Sequence, residues 1–94
     1  MTQQPEPVTF LGFVISLAHT AAVHFGDVAE PGLGAPAAAN LPAAQQIIDI
    51  LALLEEKTRG NLTVEERQVL EQLLYELRMR FVEVRDAQPR IIQP

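Results

Sequence analysis

Apolar and polar positions divide this chain into three helical stretches. The last is the clearest: Leu70, Leu74, Leu77, Phe81 and Val84 recur at alternating steps of four and three, the spacing that gathers side chains into one seam along a helix. Thr63 and Glu66 stand three apart at its start and form a capping box, in which each side chain satisfies an amide the helix leaves unpaired. The pattern predicts helix three from about residue 64 to 85. Upstream, Ala44, Ile47, Ile48, Leu51 and Leu54 oppose a polar stripe of Gln45, Asp49 and Glu56, while Ile50 and Leu53 widen the apolar arc. Asn40 is an effective N-cap and Pro42 sits in the first turn, where a missing amide hydrogen costs nothing. With Lys57 and Arg59 in the last turn and Gly60 beyond, helix two is predicted over about 41–59. Only Asn61 and Leu62 separate Gly60 from Thr63, so helices two and three form a hairpin.

Helix one is predicted over about 10–25, capped by Thr9 and stopped by Gly26. No residue within it carries a formal charge, so no face is designed for open water. Gly12, Ser16 and Thr20 recur every four residues as a small-residue groove, with Phe10, Leu11, Val14, Leu17, Ala18, Ala21 and Phe25 expected around it. Such a helix is expected to be buried on all sides, at the centre of an oligomer or inside a membrane. On helix three, Tyr75, Met79 and Val82 make a second apolar stripe, roughly 90° or more from the seam, which one hairpin partner cannot cover. Helix three is therefore expected to have two partners. The candidate interface is Phe10, Gly12, Phe13, Ser16 and Thr20 on helix one, with Tyr75, Met79 and Val82 on helix three.

Length decides how these faces are covered. At 94 residues, 48% of them hydrophobic, the chain builds one core and carries more apolar surface than so small a domain hides alone. The expected architecture is an all-α, three-helix domain over residues 8–86, completed by oligomerisation. Residues 1–7 are read as a disordered arm, 27–40 as a Pro/Gly/Ala connector and 87–94 as a flexible tail. The connector, fully extended, spans roughly 45 Å, enough for helix one to pack on its own chain or on a neighbour's.

Charge and composition narrow the functional classes. Twelve Asp and Glu against seven Lys and Arg give a net charge of -5, which argues against nucleic acid as a partner. The absence of cysteine excludes disulfides and thiolate chemistry and suits the cytoplasm. The uncharged run from Pro7 to Gly26 is nearly long enough to span a bilayer. Its flanks, however, are Glu6, Asp27 and Glu30 rather than Lys or Arg, which disfavours a membrane anchor.

Candidate chemistry is sparse. His19 and His24 are five apart and diverge by about 140° on a helix, whereas metal ligands on one face need a spacing of three or four. Local hydrogen bonding inside a packed bundle is their simpler role, with a metal or ligand site the alternative. No Glu-x-x-His motif of the carboxylate bundles is present. The adjacent pairs Glu55-Glu56 and Glu65-Glu66 point apart and make no acid/base couple. Arg78 and Arg80 flank Met79 and suit an anion or a partner's acidic strip, although ordinary ion pairing accounts for them as well. No catalytic residue, metal site or cofactor follows from these patterns. The function expected is that of a non-catalytic, oligomeric structural or protein-interaction module, possessing an unidentified protein partner besides its own copies. A membrane-complex subunit anchored by helix one is the main alternative.

Three blocks carry a family resemblance: residues 10–26; Asn40-Leu41-Pro42 with Ile47-Ile48-Asp49 and Leu51; and Leu54 to Thr58 through Gly60-Asn61-Leu62-Thr63 to the stretch Leu73–Phe81. Together they resemble the domain-of-unknown-function family numbered 1844, over nearly everything except both tails. The resemblance implies a small helical bacterial protein. It brings no activity, cofactor or catalytic residue to this chain.

Overall fold

A computed structural model describes residues 7–29 and 38–87. Residues 1–6 of the expected arm, 30–37 of the connector and 88–94 of the tail lie outside the described residues. The helices are α1 (Phe10–Phe25), α2 (Leu41–Lys57) and α3 (Val64–Ala87), and each packs against the other two.

The ends form where local chemistry dictates. Thr9 Oγ1 accepts from the amide of Gly12 at 2.9 Å, and Asn40 Oδ1 accepts from that of Ala43 at 3.1 Å. Gly26 adopts φ 83°, which lets the amides of Gly26 and Asp27 reach the carbonyls of Val23 and Ala22 at 3.0 Å each. The Thr63–Glu66 box closes in both directions, at 2.9 and 3.1 Å. At the end of α2 the expectation needs correcting. The helix stops at Lys57 rather than 59: Thr58 still donates its amide and its hydroxyl to the Leu54 carbonyl four residues back, at 2.9 and 2.6 Å, but its backbone leaves helical geometry and the amide of Arg59 turns to the Glu56 carbonyl three residues back, at 3.4 Å. Arg59 therefore belongs to the turn, and Gly60, at φ 81°, serves that turn rather than the helix itself. Helix α3 runs two residues further than predicted, to Ala87.

The topology is up-down-up. The turn after α2 reverses the chain into α3, and the amide of Asn40 donates to the carbonyl of His24 at 2.6 Å. The start of α2 is thus fixed beside the end of α1. Although the connector is long, its two ends meet, and α1 packs on its own chain. Arg80 of α3 reaches Asp27 just past α1, with contacts of 2.5 and 2.8 Å, so the C-terminal part of α3 lies at this same end of the bundle.

The core is a single apolar cluster. Val14, Ala21 and Phe25 of α1 meet Ala44, Ile48 and Leu51 of α2 and Leu70, Leu74, Leu77 and Val84 of α3. The seam predicted in α3 supplies four of these residues, and Phe81 packs against the cluster from its edge. Among the described residues no polar or charged side chain is buried, and no buried side-chain polar atom lacks a partner. Burying each large aliphatic side chain contributes about 1.5–3 kcal/mol, and Val14, Leu51, Leu70 and Leu74 are the largest of those fully enclosed. Leu74→Ala is expected to lower unfolding stability by about 2–5 kcal/mol through lost contacts and the cavity left behind. Leu53→Ala, at a position 52% exposed, should change it by less than about 0.5 kcal/mol. Urea titrations followed by far-UV circular dichroism measure both, and equal losses would contradict the assignment of the core.

Candidate functional site

Helix α1 divides lengthwise into a packed side and a free side. Val14, Ala21 and Phe25 are buried, with Phe10, Leu17 and Ala18 against them. Gly12, Phe13, Ile15, Ser16, His19 and Thr20 are exposed. At about 100° per residue the exposed set covers an arc of roughly 160°. The expectation of burial on all sides is therefore not met within one chain. The large apolar residues expected around the small groove instead form the opposite wall, and Phe10, half-buried, packs partly against the core. Gly12, Phe13, Ser16 and Thr20 do share one face. Ile15, 54% exposed, joins them at the edge of the arc opposite Phe13, which is 47% exposed; the helical projection of the sequence contains that signal, obscured because the helix has no polar side to orient it.

This face is less polar than its residue names suggest. Ser16 Oγ donates to the Phe13 carbonyl at 2.8 Å and Thr20 Oγ1 to the Ser16 carbonyl at 3.0 Å. With their hydrogens used within their own helix, both hydroxyls can be covered without stranding a donor. Gly12 has a second duty. A Cβ built there stands 3.0 Å from Thr9 Oγ1, so a larger residue at this position would crowd the cap of α1 as well as fill the groove.

On α3, Tyr75, Met79 and Val82 are 61, 48 and 40% exposed. The two partners expected for α3 are present as α1 and α2, but both pack on the leucine seam and leave this second stripe uncovered. Charged residues border it: Glu71, Arg78, Glu83 and Asp86 are all exposed. The two candidate surfaces consequently differ in kind, one uncharged and the other of mixed sign.

The histidines do not come together as ligands. His19 is exposed on the free side of α1, outside the packed environment expected for it, while His24 is half-buried. Among the described residues no group of three or more His, Asp or Glu is placed to hold a metal ion. No described helix is long and apolar enough to cross a membrane. Thr9 and Gly26 cut the uncharged run to a helix of 16 residues, about 24 Å against a hydrocarbon thickness of about 30 Å.

The arginines sort differently from their order in sequence. Arg80 grips Asp27 through Nε and Nη2 and touches Glu83 at 3.3 Å. Arg78, two residues away, faces a groove between α2 and α3 whose other end is Arg85. A second groove, beside the hairpin turn, balances Arg59 and Arg67 against Glu55 and Glu71.

These features describe a small all-α bundle domain with one uncharged helical face left uncovered. The chain belongs to the family described as Domain of unknown function (DUF1844), whose model matches residues 7–83, a span that includes all of α1 and α2 and most of α3. No curated protein and no solved structure matches it.

The Asp27–Arg80 pair gives the bundle a defined response to acid. The hydrogen bonds from Arg80, reinforced by its charge, hold the Asp27 carboxyl below its ordinary value of 3.8 against a smaller opposing effect of burial. A depressed folded-state pKa means that the pair's contribution is complete above the unfolded value and fades as pH falls through the folded one. With the side chains 43 and 33% exposed, solvent screening limits the contribution to about 1 kcal/mol or less. Asp27→Asn is expected to be less stable than wild type by that margin at pH 7, with the two curves converging below about pH 4. Urea midpoints across this range test it, and a gap that widened in acid would contradict the assignment.

Proposed function

We propose that this protein is a non-catalytic module of the cytoplasm that associates with copies of itself through the free face of α1. The observation that carries the reading is a broad helical arc, exposed in the single chain, that bears Phe13 and Ile15 and no formal charge. A protein of net charge -5 repels its own copies, and two identical surfaces brought together about a two-fold axis set like charges close to each other wherever charges exist. The uncharged face of α1 avoids that cost, whereas the exposed faces of α2 and α3 carry ionised residues. Internally bonded hydroxyls and a glycine in the first turn favour close approach of a second helix. A scaffolding or protein-interaction role follows from such an assembly.

The test places one charge on the face, at its most exposed large apolar residue. Ile15→Lys alters a side chain already exposed in the single chain, so the helical spectrum and core should persist. Wild type is expected to scatter light as a multiple of 10.4 kDa and Ile15→Lys as the monomer. Like charges pressed together across a symmetric contact cost several kcal/mol, or on the order of a hundredfold or more in dimer affinity. Gln46→Lys, on the exposed side of α2, serves as control and should keep the wild-type mass. A folded wild-type monomer at hundreds of micromolar would defeat the proposal, and an Ile15→Lys protein of unchanged mass would move the interface away from α1.

A further inference from the structure

We propose that the groove between α2 and α3 receives an acidic, amphipathic segment of a partner protein, with Arg78 and Arg85 bracketing its carboxylates. The groove is an open trough of about 350 Å³. Buried Ile48 and half-buried Phe81 lie at its base, and Val82, 40% exposed, forms part of its wall. The arginines stand seven residues apart on α3, two turns or about 10.5 Å along the axis, and so point to the same side of the helix.

Charge identifies the occupant. The trough is lined by two arginines and one carboxylate, Asp49, with a second carboxylate, Asp86, beside Arg85, in a protein whose total charge is -5. Asp49 accepts a hydrogen bond from Gln45 at 2.9 Å and pairs with neither arginine. Arg85 touches only its neighbour Asp86, at 3.2 Å with both side chains more than half exposed, and Arg78 has no ion pair among the described residues. By contrast, Arg80 is fully engaged by Asp27 and Glu83. The groove at the hairpin turn is internally neutral, with two arginines facing two glutamates. The trough thus presents two arginine forks above Ile48 and Phe81, Arg78 without an ion pair among the described residues and Arg85 held only by an exposed neighbour. It fits a segment with apolar side chains between two carboxylates about two helical turns apart, the arginine forks supplying paired hydrogen bonds. It lies on other elements than the α1 face and does not depend on self-association.

The probe is a labelled helical peptide with two glutamates seven positions apart and leucines on the same side between them. A peptide with lysines in place of the glutamates is the comparison. With the full chain at low salt, fluorescence anisotropy is expected to saturate at a dissociation constant on the order of tens of micromolar, with at least tenfold weaker binding of the lysine peptide. Binding should weaken as salt is raised. Arg78→Glu and Arg85→Glu, both at exposed positions, should each reduce affinity about tenfold or more while leaving the melting temperature within a few degrees. Amide shifts should concentrate at Ile48, Phe81 and Val82, and Ile15→Lys should bind as wild type does whatever its own state of association. The proposal is overturned by no saturable binding, by equal affinity for the lysine peptide, by full affinity in the Arg78→Glu, Arg85→Glu double variant, or by shifts centred on α1. Equally, if either arginine substitution abolishes self-association, the trough is an interface between copies and the acidic partner is excluded.

Discussion

The enclosure of Leu51, Leu70 and Leu74 in one cluster with Val14 is the constraint on which the rest of the structure depends. Helix α1 has no charged side and no intrinsic signal for which way to face. It acquires an orientation only because α2 and α3 offer it a shared apolar wall. Once Val14, Ala21 and Phe25 are drawn inward, the 3.6-residue repeat leaves Phe13, Ile15, Ser16 and Thr20 outside. The free face is therefore a product of core packing. A domain this small has too little interior to enclose every apolar residue that an uncharged helix carries.

The polar features cooperate with that packing without being part of it. Among the described residues the interior holds no polar side chain, so hydrogen bonds and ion pairs act at helix ends and on the surface. Thr9, Asn40 and the Thr63–Glu66 box settle where helices begin, and the Asp27–Arg80 contact joins the exit of α1 to α3. Surface ion pairs are individually weak. This one earns a structural role through geometry, because its fork fixes the direction of a chain just leaving a helix. Its engagement also separates Arg80 from Arg78, giving two nearly adjacent arginines different surroundings.

The helix boundaries and the α3 seam were legible in the sequence because both are local: a cap spans three residues and a heptad seven. The end of α2 was less so, since Lys57, Arg59 and Gly60 resemble a helix terminus while the turn of the Arg59 amide onto Glu56, three residues back, depends on the backbone itself. The exposed side of α1 could not be assigned from its own composition. Gly12, Ser16 and Thr20 were recognisable as one stripe, but whether that stripe faced the bundle or the solvent was decided by residues on α2 and α3. Partners distant in sequence were the least accessible: Asp27 and Arg80 are separated by 53 positions, and nothing near either one marks the other.

The bond between the Asn40 amide and the His24 carbonyl has a consequence for how this domain tolerates change. It joins the two edges of the connector through backbone atoms, so together with the core contacts it ties α1 to α2 at points outside the chain between them. Doubling a loop whose ends are already held together costs only about 0.6 kcal/mol in closure entropy. That stretch is therefore the place where added residues are expected to disturb least how the three helices meet.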